Sequence, residues 1–101
     1  MNKLYQRLQD IKQNPETYLG EKSLDRLDQF LFGYALCEND YDVTKKEMFK
    51  GFDDFVREKY GNTTHAAVRL VNFYSATKEE AFYKYIELLE EYLAMHPENL
   101  E

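Results

Sequence analysis

Between Asn2 and Gln13 the apolar residues Leu4, Leu8 and Ile11 fall four and three positions apart, which is one face of an α-helix and not the alternation of a strand. Pro15 disfavours helical geometry at Asn14, so Glu16-Thr17-Tyr18-Leu19-Gly20 reads as an ordered turn whose Tyr and Leu can pin it to a core. Ser23 is a suitable N-cap for a second helix, with Leu24, Leu27, Leu31, Tyr34 and Ala35 on one face. Gly33 inside that helix costs about 1 kcal/mol relative to Ala, which points to close packing or a local bend.

The periodicity breaks at Glu38-Asn39-Asp40-Tyr41-Asp42, the expected longest exposed loop. Thr44-Lys45-Lys46-Glu47 is a T-x-x-E capping box and predicts a third helix with Met48, Phe49, Phe52, Phe55 and Val56 as its buried stripe. Gly61 is placed to end it as a left-handed residue. Thr63 or Thr64 caps a shorter fourth helix through Tyr74, with Ala66, Ala67, Leu70 and Phe73 or Tyr74 inward. A second capping box, Thr77-Lys78-Glu79-Glu80, opens the clearest helix, whose face holds Ala81, Phe82, Tyr85, Leu88, Leu89 and Tyr92 until Pro97 closes the pattern. The fold class is therefore all-α, with about five helices in a compact antiparallel bundle or orthogonal array. Residues 1–101 form one domain, with 96–101 as a loose C-terminal tail.

Composition agrees with that reading. Hydrophobic residues are 44% of the chain and aromatics 16%, too much apolar matter for a disordered chain even with 32% charged residues. Four Gly and two Pro are too few for the turns of a sandwich or barrel. A formal charge of −6 argues against a nucleic-acid binder, which concentrates Lys and Arg, and favours a basic partner. The single Cys37 allows no intrachain disulfide, and neither a signal-peptide core nor a membrane span is evident, so a cytoplasmic protein is expected.

Candidate chemistry is sparse. Cys37, His65 and His96 lie in three separate segments without zinc-site spacing, so no metal is expected. Cys37 lacks the electropositive surroundings of a reactive thiolate and reads as a small buried hydrophobe. His96 suits the C-terminus of the last helix, where a cation is favoured. His65, at the start of a helix, could serve as a base but has no identifiable partner. The pairs Asp53-Asp54, Glu79-Glu80 and Glu90-Glu91 diverge by about 100° on a helix and cannot converge on one substrate atom. The scattered glycines form no phosphate-binding loop, so no cofactor is expected. These patterns favour a binding protein over an enzyme.

One aromatic stands apart. With the last helix's stripe centred near Tyr85 and Leu88, Tyr83 lies about 160° from Tyr85 by the helical period. Glu79, Glu80, Glu87 and Glu90 surround it at helical spacings, and Asp53, Asp54 and Glu58 fall outside the stripe of the third helix. Acidic helical surface with an aromatic anchor suits a basic protein partner, since charge steers encounter and Tyr supplies burial.

The stretch from Pro15-x-x-Tyr18-Leu19-Gly20-Glu21-Lys22-Ser23-Leu24 through Leu27, Phe30, Leu31, Gly33 and Tyr34 continues in Gly51-Phe52-x-x-Phe55-Val56-x-x-Lys59-Tyr60, then Phe73-Tyr74-Ser75 and Ala81-Phe82. It resembles a family of small helical bacterial proteins of toxin-immunity loci, including the immunity proteins of contact-dependent growth inhibition systems. The likeness covers most of the chain but rests on turn glycines, core aromatics and capping positions. It implies a cytoplasmic immunity protein that binds one cognate toxin, possibly a basic nuclease, and blocks its active site or substrate entry. An adaptor or regulatory module without catalytic activity is the other reading, and an enzyme using His65 or a carboxylate the third.

Overall fold

The computed structural model describes residues 3–41 and 48–100, with only the backbone of 35 and 38–41. They form six α-helices: α1 (Lys3–Gln13), α2 (Pro15–Leu19), α3 (Leu24–Tyr41), α4 (Phe52–Tyr60), α5 (Ala67–Tyr74) and α6 (Lys78–Met95), then a 3-10 turn at Pro97–Leu100. The protein is all-α, and no described helix is long and apolar enough to cross a membrane.

The helix α6 organises the rest. Ala81, Phe82, Tyr85, Leu88, Leu89 and Tyr92 are buried along it as the periodicity requires, and Ile86 and Leu93 widen the buried face. A helix that packs against α3, α4 and α5 together needs an apolar arc broader than a single stripe. Leu4, Leu8 and Ile11 of α1 are fully buried, as are Leu27 of α3 and Val56 of α4. Phe52 lies at the centre, its ring 5.4 Å from Tyr85 in an edge-on contact and 5.7 Å from Tyr92.

Local signals account for several boundaries. Pro15 stands at the first position of α2, and Gly20 closes that helix in the left-handed conformation. The Ser23 hydroxyl accepts the Arg26 N–H at 3.4 Å at the start of α3. Gly61 ends α4 with φ at 65°, as its position implied. The Thr77 hydroxyl accepts the Glu80 N–H at 3.0 Å, and the Glu80 carboxylate reaches back to the Ala76 N–H at 3.0 Å.

Elsewhere tertiary structure overrides the local pattern. The backbone of Glu38 to Tyr41 continues α3 and is not a loop, while Asp42 and the Thr44–Glu47 box lie outside the described residues. Met48 and Phe49 occupy a 3-10 turn, and α4 begins only at Phe52 because Gly51, with φ at 80°, interrupts the helix. A Cβ on Gly51 would collide with the Tyr92 hydroxyl, so this approach requires glycine. Gly33, by contrast, faces open space and marks neither close packing nor contact.

Neither Thr63 nor Thr64 caps α5, whose N-cap position is Ala66. Asn62 Oδ1 accepts the N–H groups of Thr64 and His65, each at 2.9 Å, and folds the connection back on itself. Arg57 Nε donates to the His65 carbonyl at 2.9 Å, so the connection returns along α4. The first N–H of α5, at Ala67, is then satisfied by Asp53 Oδ1 at 2.9 Å, from the start of α4. At the other end Tyr60 stacks on Tyr74 at 5.0 Å, so α4 and α5 run side by side in the same direction. That pairing turns Ala67, Leu70 and Val71 inward; Ala66 is exposed, and Phe73 and Tyr74 are 78% and 56% exposed.

The C-terminal residues are docked, not loose. Asn99 is buried and donates through Nδ2 to the Lys50 carbonyl at 3.1 Å, which also accepts the Tyr92 hydroxyl proton, while Leu100 packs against the core. Two side-chain donors on one carbonyl fasten the 3-10 turn before α4 to the end of the chain.

Candidate protein-binding surface

The acidic stripe of α6 is engaged within the molecule. Glu79 pairs with Lys22 Nζ at 3.1 Å, Glu87 with Lys84 at 3.7 Å, and Glu80 is held in its capping box. Glu90 Oε1 accepts from Lys12 Nζ at 2.7 Å while Gln9 approaches the other oxygen at 3.5 Å, tying α1 to α6. That hydrogen bond holds the Lys12 ammonium above its ordinary pKa, as Glu79 does for Lys22. Tyr83 is exposed at the margin, 39%, with Phe82 edge-on at 5.1 Å and Lys22 Nζ 5.8 Å from its ring centroid. Its acidic neighbours are thus already balanced by lysines.

On α4 the three expected carboxylates separate. Asp54 pairs with Arg57 one turn away at 2.8 Å, Glu58 is exposed, and Asp53 turns toward α5 to hold Ala67. Asp53 therefore has a structural task that its sequence position did not reveal.

Two carboxylates that the periodic reading passed over, Asp25 and Asp28, lie on the first turns of α3 beside Asp53. Asp25 Oδ1 accepts Asn72 Nδ2 of α5 at 2.9 Å. Asp28 is held above the usual carboxylate range, first by desolvation and then by the negative charges of Asp25 and Asp53. Beneath them Tyr85 is 4% exposed; burial first, then Asp28 and Asp53, push its phenol pKa upward. These residues mark an acidic corner where α3, α4, α5 and α6 approach one another. Among the described residues no Lys or Arg forms an ion pair with any of the three. The Asp-x-x-Asp spacing at Asp25 and Asp28 was visible in the sequence, but its convergence with Asp53 depends on the parallel course of α4 and α5.

Apolar surface is exposed elsewhere on α5 and α3. The ring of Phe73 meets Tyr74 edge-on at 5.0 Å, extending the Tyr60–Tyr74 stack into solvent. On α3, Phe32 and Leu36 are 66% and 48% exposed one turn apart, and Cys37 is exposed where a buried residue was expected. Phe32 and Leu36 lie off the face of α3 that buries Leu24, Leu27 and Leu31.

The remaining candidates for chemistry stand apart. His65 is exposed and engaged through its carbonyl, and His96 packs on Tyr92 at 4.6 Å with Nδ1 3.3 Å from Glu98. Backbone hydrogen bonding within Glu98, with His96 adding to it, holds that carboxyl below its usual pKa. Among the described residues no three His, Cys, Asp or Glu side chains lie close enough to hold a metal ion. An open depression of about 500 Å³ between α2 and α6 is lined by Glu16, Glu21 and Glu79 against Lys22 and Lys78, a mixed-sign surface that favours neither charge. No family model, curated protein or solved structure matches this chain.

Proposed function

We propose that this protein is a non-catalytic binding module that neutralises a basic protein toxin by covering part of its surface, as an immunity protein does in the cytoplasm. One observation carries the reading: Asp25 and Asp53 both press their charge on Asp28, among the described residues no Lys or Arg pairs with any of the three, and the far end of α5 exposes Phe73 and Tyr74. Like charges brought together on a folded surface repel one another, and a basic partner relieves that repulsion on binding. Aromatic side chains at the edge supply the burial that slows dissociation. The overall charge of −6 adds long-range attraction to the same partner.

The test is to mix the purified protein with the product of the reading frame beside its gene. A stable complex is expected, with an association rate falling by about tenfold or more as salt rises from low to high ionic strength. In cells producing that toxin, growth should be restored by this chain. No complex, or a complex whose association ignores salt, overturns the basic-toxin reading. The exposed Phe32 and Leu36 favour a second reading, an adaptor docking through apolar surface, in which a salt-insensitive complex forms and no toxicity is relieved.

A further inference from the structure

We infer that His96 to Asn99 form a pH-sensitive latch, in which a proton on the His96 imidazole tightens the terminal turn onto Lys50 and so onto the turn that leads into α4. The latch acts within this chain and needs no partner.

Its parts meet at Lys50. Asn99 is buried; its backbone N–H donates to the His96 carbonyl at 3.0 Å and its Nδ2 to the Lys50 carbonyl at 3.1 Å. The Tyr92 hydroxyl donates to the same carbonyl, and a Cβ on Gly51 would collide with it, so the phenol is seated against the turn before α4. His96 caps α6, its ring lying on that phenol at 4.6 Å and its Nδ1 3.3 Å from Glu98 Oε2. The imidazole thus touches both arms that reach Lys50, and imidazoles change charge between about pH 5 and 8.

Protonation alters each contact with the same sign. An imidazolium donates Nδ1–H to the Glu98 carboxylate as a charge-assisted bond. It also lies over an aromatic face and at the carbonyl end of α6, both of which attract a cation. A neutral ring has one N–H, and in the tautomer that leaves Nδ1 bare a lone pair faces the carboxylate. The other charged groups of the neighbouring elements are committed elsewhere. Lys59 Nζ of α4 reaches Glu91 of α6 at 2.7 Å, Lys50 enters through its carbonyl, and among the described residues His96 has no ion-pair partner besides Glu98.

Glu98 sets the lower limit. Its carboxyl is held below the usual range, first by backbone hydrogen bonding within Glu98 and then by His96, so it stays ionised while the ring takes up its proton. The contribution of the protonated ring is lost as pH rises through its titration, and that of the carboxylate is lost as pH falls through its own. The latch is therefore tightest in mildly acidic solution and looser on both sides. The side chains of His96 and Glu98 are 40% and 68% exposed, so solvent screening keeps the effect small.

The experiment follows the whole protein by NMR from about pH 5 to 8. It reads the His96 ring, the Lys50 carbonyl carbon and the exchange protection of the Asn99 amide, corrected for intrinsic exchange. Protection of Asn99 is expected to fall by about threefold as pH rises through the His96 titration, the size of an exposed charge pair. The Lys50 carbonyl carbon should follow the same midpoint. His96→Gln and Glu98→Gln should each remove the step while leaving the protein folded, which their melting checks. Protection that stays level through the titration, or a step that survives in His96→Gln, overturns the latch. A ring that titrates against Glu98 without moving Asn99 or Lys50 overturns it too, since the pair is then a surface contact only. Should a variant unfold, the profile of the parent decides alone.

Discussion

The face of α6 and the acidic corner between α3, α4 and α5 carry the same kind of charge and use it differently. On α6, Glu79, Glu87 and Glu90 each meet a lysine and Glu80 fastens the first turn, so the acid is absorbed into the architecture. In the acidic corner, Asp25 and Asp53 also hold neighbouring elements in place, yet both press their charge on Asp28, and among the described residues no Lys or Arg pairs with any of the three. Surface acid that the molecule neutralises for itself contributes to the fold; acid that it concentrates and leaves uncompensated can contribute to recognition. The density of carboxylates along a helix does not tell these apart, whereas their partners do.

The deepest way to break the distinction is to remove what lies under both regions. Phe52 touches Tyr85 and Tyr92, two turns apart on α6. Phe52→Ala should cost roughly 3–5 kcal/mol in denaturant unfolding. A cost below about 1 kcal/mol would remove Phe52 from the centre of the core.

Glu90→Lys probes the absorbed acid, because it sets two cations side by side at the α1–α6 contact. A stability loss of about 1 kcal/mol is expected, shrinking as salt is raised, with the affinity for a basic partner little changed. An unaltered melt would mean that the Lys12–Glu90 pair contributes nothing to that contact.

Asp28→Asn probes the concentrated acid and should have the opposite sign. The folded carboxyl titrates above its unfolded value, so the folded state binds more protons than the unfolded chain in the window between the two. Ionised Asp28 therefore opposes folding at neutral pH, and that opposition fades as pH falls through its folded pKa. The variant should gain about 0.5 kcal/mol at neutral pH, limited by solvent screening, and lose the advantage in acid. A destabilised variant at neutral pH would show that the carboxylate is needed for the fold.

Much of the framework could be read from the order of residues. The stripes of α1 and α6, the buried Met48, Phe52 and Val56, the Gly61 stop and the Thr77 box depend on neighbours within one or two turns, where local sequence carries the information. The failures share a cause at longer range. Thr63 and Thr64 looked like caps, but the cap of α5 comes from Asp53, fourteen residues away. Phe73 and Tyr74 looked buried, but alignment of α5 with α4 turned Val71 inward instead. Lack of an electropositive setting suggests a buried Cys37, yet it is exposed, and Gly33, placed for close packing or a bend, has nothing near it. The crowding of Asp28 by Asp53 belongs with these, since no local rule relates residues so far apart in the chain.

The central place of α6 also constrains how the chain can be made. It follows α1 to α5 during synthesis and supplies eight of the buried residues around which they pack. Until it leaves the ribosome, Phe52, Val56, Leu70 and Val71 can meet only across the α4–α5 pair, and the apolar stripes that α6 covers stay open. Completion of the core then waits for α6. The Asn99 bond to Lys50 forms later than α6 itself, so the turn ahead of α4 lacks that tether until residue 99 has been made.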